Sequence, residues 1–216
     1  MFGMKKIMSS TAVAAVIGWG FASGAQAATI TEITLDRNAT STSWQTSWGP
    51  AIIGGETLSA LGQWSFTGVS GDTWNFTLDL ANNANSGARI TSWGFDTTPT
   101  ASDFTITVSN NWTAGGGQGP MTVDHCSFAG AQNCAGGGGG GLSAGSMLTF
   151  NFSFDSTEDE LTLNDFKTRW QSVGIDDQDS TVLTAASPIP LPAAGWLLLT
   201  AMGGLGFAAH RRRKAT

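Results

Sequence analysis

The 216 residues contain no tyrosine, two cysteines and two histidines. That scarcity leaves few side chains for acid–base or metal chemistry at neutral pH. Neither a P-loop nor a glycine fingerprint for dinucleotides occurs, so the usual phosphate cradles are excluded. No internal repeat points to a solenoid or propeller. Ala-rich helical periodicity is missing from the middle of the chain, and the long apolar runs lie at its two ends.

Those ends read as export and membrane signals. Lys5 and Lys6 precede an apolar run from Ile7 to Phe21, and Ala25-Gln26-Ala27 forms a small-x-small box. This pattern predicts a signal peptide over residues 1–27, cleaved so that the mature chain starts at Ala28. Residues 188–216 form a second unit. Pro188-Ile189-Pro190-Leu191-Pro192-Ala193 leads into an apolar stretch that closes on Arg211, Arg212, Arg213 and Lys214. The stretch from Ala193 to Ala209 is 17 residues long, the lower limit for a helix crossing the bilayer core. The basic stop keeps the C-terminus in the cytoplasm and places the preceding domain outside. Gly204 and Ala208 form a small-xxx-small pair that suits close approach by another helix.

Between these units lie residues 28–187, long enough for one domain with its own core. This region holds four basic residues (Arg37, Arg89, Lys167 and Arg169) against all sixteen acidic ones, a formal excess of twelve negative charges. Such a surface is ill suited to nucleic acid, whose phosphates require Lys and Arg, and is repelled by anionic lipid.

Period-two alternation recurs in short runs separated by turn clusters such as Ser70-Gly71-Asp72 and Thr97-Thr98-Pro99. Strands are predicted over Thr29–Asp36, Gln63–Val69, Thr73–Leu80, Arg89–Phe95, Asp103–Ser109, Met147–Asp155, Glu160–Phe166, Thr168–Gly174 and Thr181–Ala185. In Thr73–Leu80, Trp74, Phe76, Leu78 and Leu80 share one face, opposite Asn75, Thr77 and Asp79. Eight or nine such strands predict an all-β fold: a single, mainly antiparallel β-sandwich, with a barrel or jelly roll as the alternative. Helices are expected only in the signal peptide and the C-terminal transmembrane segment. Trp64, Trp74, Trp93 and Trp170 are expected in the core with Phe76, Leu78, Phe150, Phe152 and Phe166. Trp44, Trp48 and Trp112 lie among polar residues, and as exposed indoles they would stack on sugar rings.

The segment Thr113–Gly145 is rich in glycine, with six in succession from Gly136 to Gly141. It reads as a long loop that packs no core. It also holds both cysteines, Cys126 and Cys134, which outside the cytoplasm are expected to pair.

The search for chemistry returns little. Gly141-Leu142-Ser143-Ala144-Gly145 matches a nucleophile elbow, but polyglycine precedes it where a strand is needed. His125 has no second histidine in the domain to share a metal, and is expected in solvent. Asp155-x-x-Glu158-Asp159-Glu160 and Asp176-Asp177-x-Asp179 offer oxygen ligands without the spacing of a calcium loop. Calcium is therefore the one cofactor held open against none. The same carboxylates would have to be paired in space to hydrolyse glycosides. Asn38, Asn75, Asn111 and Asn151 begin N-x-[ST] triplets, which are read as chance.

The tail, with Ile189-Pro190-Leu191-Pro192-Ala193-Ala194-Gly195-Trp196 and its basic stop, resembles the PEP-CTERM sorting signal in its VPLPA variant; Ile189 stands where that variant usually has Val. The resemblance implies a Gram-negative host that makes exopolysaccharide or biofilm. It also implies recognition by exosortase, a membrane protease-transpeptidase that removes the tail. A second likeness covers most of residues 28–187. Trp93-Gly94-Phe95, Val123-Asp124-x-Cys126, Asn133-Cys134, the polyglycine run and Trp170–Gly174 are similar to the cistern family of PEP-CTERM proteins, whose likeness adds no catalytic residue. The resulting expectation is a non-enzymatic protein of the cell surface or extracellular matrix. It would be held transiently in the inner membrane, with exosortase and extracellular polysaccharide as partners. A carbohydrate-binding module is the first alternative and a secreted hydrolase the second.

Overall fold

A computed structural model describes residues 30–186 apart from 86, 109, 110, 131, 132, 136–138 and 175–178. The signal peptide with its Ala25, Ala27 and Ala28, and the tail from Pro188 to Lys214, lie outside the described residues. So do Asp176, Asp177 and the helices expected at the two ends.

Among the described residues the fold is all-β, with two antiparallel sheets and no helix. The first sheet runs β2 (Thr42–Ile53), β3 (Glu56–Ser70), β4 (Thr73–Asn82), β9 (Met147–Asp155), β6 (Ser102–Thr107). The second runs β1 (Glu32–Asp36), β10 (Glu160–Val173), β5 (Arg89–Thr98), β8 (His125–Ala129), β7 (Trp112–Gly115). β11 (Asp179–Thr184) pairs with the later half of β10, and β1 with its first half, both along the margin away from β5.

The alternation read in the sequence drives this arrangement. Along β4 every second residue is buried, and its register with β9 sets Trp74 opposite Phe154, Phe76 opposite Phe152 and Leu78 opposite Phe150. From the other sheet, Trp93, Phe95, Phe166 and Trp170 meet this face. The rings pack edge-to-face or offset: Trp64 meets Phe152 at 90° with centroids 5.9 Å apart, and Phe76 stacks on Phe152 at 5.0 Å. These arrangements suit the aromatic quadrupole and add to the gain from burial. Gly62 makes room for the indoles. A Cβ there would come within 3.0 Å of atoms of Thr46, Trp48 and Trp64, where the Trp64 N–H donates to Thr46 Oγ1 at 2.8 Å.

Three of the expectations change. Glu160–Phe166 and Thr168–Gly174 are one strand, not two. The register shifts between Asn164 and Lys167, with Asp165 at φ +47°, so the buried positions change from Leu161 and Leu163 to Phe166, Thr168 and Trp170. A bulge reverses parity without ending a strand, and in the sequence that reversal looks like a boundary. β2, β7 and β8 are strands that periodicity did not reveal. Finally, Thr113–Gly145 does pack apolar residues. Cys126 and Phe128 on the outer side of β8 join Met121, Val123 and Cys134 in a second, smaller cluster.

Candidate functional site

The glycine-rich segment folds back over the outer face of the second sheet. Gly94 on β5 lets it approach, since a Cβ there would lie 2.5 Å from the His125 carbonyl and 2.7 Å from Val123. Polar contacts hold the layer down. Asp124 accepts from the Thr97 N–H at 3.2 Å, and its own N–H donates to Asp96 at 2.7 Å. Lys167 Nζ donates to the Thr122 carbonyl at 3.0 Å, and Ser92 Oγ to that of Cys134 at 3.2 Å. Cys126 and Cys134 are joined by a disulfide, with Cα atoms 6.2 Å apart, and both are fully buried. The pairing expected from the sequence is present. The bond ties Cys134 to the outer side of β8, within the smaller cluster of Met121, Val123 and Phe128.

His125 is not in solvent. It is 4 % exposed and points between the sheets, where it stacks on Phe154 and meets Phe95 and Phe104. Its Nε2 shares a 3.1 Å hydrogen bond with Thr97 Oγ1, which also accepts from the Ala101 N–H. Burial pushes its pKa down to about 4, against a weaker pull upward from the Asp124 carboxylate. Alternation explains the correction: a residue preceding an outward Cys126 in a strand must face inward. Asp96 is raised, chiefly by burial and further by the carboxylates of Asp124 and Asp165, against the Asp124 N–H and Lys167.

The three tryptophans expected on the surface are buried as well: Trp44, Trp48 and Trp112 are 5 %, 0 % and 9 % exposed. Trp44 stacks on Trp64 at 5.8 Å, and Trp112 meets Phe150 edge-on at 5.0 Å. Their polar neighbours in sequence are the outward half of β2 and the approach to β7. No platform of exposed indoles forms among the described residues. Ser143 is exposed in a segment that crosses to β5 through the Leu142–Ile90 bridge, with no strand leading into it.

The acidic cluster at Asp155 and Glu158 borders an open depression together with Asp72 and Asp103. Asp72 is engaged by Arg37 at 3.2 Å, and Asp155 accepts from Thr73 Oγ1 at 2.7 Å. Among the described residues, no group of three or more His, Cys, Asp or Glu side chains is placed to hold a metal ion.

The surface with the most regular chemistry is the outer face of the first sheet. Register places Ser43, Ser65, Thr77, Asn151 and Thr107 in one row across all five strands. Gln45, Gln63, Asp79 and Thr149 form the next, and Asn75, Ser153 and Thr105 a third on the other side. Cross-strand hydrogen bonds fix several of them: Ser43 with Ser65 at 3.1 Å, Thr77 to Asn151 at 3.1 Å, and Thr105 with Ser153 at 2.9 Å. Two shallow depressions of about 330 and 350 Å³ lie side by side here and share Thr77. The sequence carried half of this signal in the residues opposite the buried faces of β4 and β9. The rows exist only once register aligns five strands.

No known protein family, curated protein or solved structure matched the chain in comparison.

Proposed function

We propose that this is an exported, non-catalytic protein of the cell surface or extracellular matrix, sorted through its tail by an exosortase-type protease. The observation that carries the reading is the buried Cys126–Cys134 disulfide. Such bonds form and persist outside the reducing cytoplasm. It lies between an N-terminal segment with signal-peptide grammar and a C-terminal one with proline motif, apolar run and basic stop.

The non-catalytic part rests on where the chemical groups sit. His125 is walled in by phenylalanines, Ser143 is exposed with no strand leading into it, and the acidic side chains at Asp72 and Asp155 are tied to Arg37 and Thr73. A catalytic group must reach a substrate in a pocket with convergent partners. The test is the mass of the protein recovered from its own host, with and without exosortase. The expected result is a chain starting at Ala28 and truncated near Pro188–Ala193 only when exosortase is present. A chain ending at Thr216 in both hosts would replace sorting with a plain tail anchor.

A further inference from the structure

The two sheets treat their outer faces differently. The second is covered in part by the disulfide-linked segment, whereas no other described residues cover the first, across five strands. We infer that this open face binds a neutral, hydroxyl-rich polysaccharide chain laid across the strands. The inference gives the surface reading above a ligand, and rests on it only for where protein and polymer meet.

The chemistry of the rows selects the ligand class. Of the twelve residues in the three central rows, eleven are Ser, Thr, Asn or Gln, and Asp79 is the one ionisable group. No cation stands there to hold phosphate, sulfate or uronate, and the surrounding domain is strongly acidic. An anionic polymer is therefore repelled. Protein interfaces centre on aromatic and other bulky apolar anchors; here every aromatic ring of the sheet points inward, and the apolar side chains of Leu61, Ala81 and Met147 stand to one side of the three rows, not among them. What remains is a field of hydroxyl and amide groups, each able to exchange hydrogen bonds with sugar hydroxyls.

Preorganisation favours the same ligand. The serine and threonine pairs already bond across strands, so their remaining donors and acceptors are fixed in direction. Gln45 and Gln63 face each other and make no side-chain hydrogen bond among the described residues, leaving two amides to engage a ligand. Next to them runs an apolar row of Leu61, Ala81 and Met147, with Met147 67 % exposed. Sugar rings present both hydroxyl edges and C–H faces, and this surface offers a counterpart to each. Five strands give a track roughly 19 Å long, from four spacings of about 4.8 Å.

The experiment is affinity electrophoresis of the protein purified from its host, in native gels holding hydroxyethyl cellulose, dextran or alginate. Retardation is expected in at least one neutral polymer and not in alginate. The variant Gln63→Ala/Thr77→Val/Asn151→Ala should weaken retardation about tenfold or more, as the loss of two or three net hydrogen bonds implies. Its urea midpoint should stay near that of the parent. Should the triple variant not fold, Gln63→Ala alone, at an exposed position, must still reduce binding, while Glu158→Gln, away from the rows, must not. Absence of retardation in both neutral polymers, equal retardation in alginate, or undiminished binding by a folded variant would overturn the inference. So would a change of sedimentation coefficient in the variant with no polymer effect in the parent, which would make the face a contact between copies. None of these outcomes alters the mass result that tests sorting.

Discussion

The indole N–H of Trp48, on β2 in the first sheet, donates to the main-chain carbonyl of Phe166, on β10 in the second, at 3.0 Å. It is a buried hydrogen bond that runs from one sheet to the other. The same carbonyl accepts from the Ala185 N–H at 2.7 Å. The middle of β2, the bulged part of β10 and the segment leaving β11 are thus joined at one oxygen.

This relationship separates two tryptophans that look alike in sequence. Trp48→Phe and Trp44→Phe both shrink a buried ring, but the Trp44 N–H has no hydrogen-bond partner among the described residues. Trp48→Phe should therefore be the more destabilising by about 1 kcal/mol, the net worth of a buried hydrogen bond. Urea unfolding of both variants measures the difference. Equal midpoints would mean that the Trp48–Phe166 bond contributes nothing.

The disulfide should matter to the roof more than to the core. Replacing Cys126 and Cys134 with Ala is expected to cost about 2–3 kcal/mol in the chain-entropy view of a short loop. Limited proteolysis should then cut within residues 116–135 while the two sheets persist. In the native protein neither sulfur should react with iodoacetamide, because both are held in the disulfide and no thiolate is present; burial should also shield the bond from reductant until the chain is denatured.

Acid should weaken the fold through His125. Its imidazole titrates near 6.5 when unfolded and is pushed down to about 4 when buried. Between those values the unfolded chain holds more protons than the native one, so stability rises with pH across the window and falls as pH drops from 6.5 toward 4. The full excursion is about 3 kcal/mol, levelling off below pH 4. Asp96, raised by burial, acts with the opposite sign, so His125→Gln is the comparison that isolates the imidazole. Unfolding free energies from pH 4 to 7 should show a shallower slope in that variant. An unchanged slope would mean that His125 does not carry the effect.

The tail makes a separable prediction. Replacing Pro190 and Pro192 with Ala leaves the apolar run untouched, so membrane insertion should persist while cleavage stops, because prolines keep that segment extended and non-helical. Changing Arg211, Arg212, Arg213 and Lys214 to Gln should misorient the tail. Membrane fractionation followed by mass measurement distinguishes the two. Cleavage in the proline variant would show that the protease does not read the motif.

Much of the fold was legible because it rests on short-range rules. The alternation of Trp74, Phe76, Leu78 and Leu80, and of Phe150, Phe152 and Phe154, is a property of adjacent residues, and both strands form with those faces buried. β2 was missed for a related reason. Trp44, Thr46 and Trp48 alternate, but Thr46 breaks the apolar pattern, and its hydroxyl is inside because the Trp64 indole requires an acceptor there. β8 was missed because its residues are buried on both sides, so alternation vanishes when a loop covers the outer face.

The sequence by itself determined the all-β class, the aromatic core and the partnership of the two cysteines. Each follows from alternation, from side-chain area or from the presence of only two cysteines in the chain. It could not decide which outward residues become neighbours, whether Trp44 or His125 faces solvent, or which sheet is roofed and which left open. Those outcomes depend on register between strands distant in the chain and on two bulges in β10 that reverse parity. A shift of one residue exchanges the inner and outer faces of a strand, and only the packing of the two sheets selects between them.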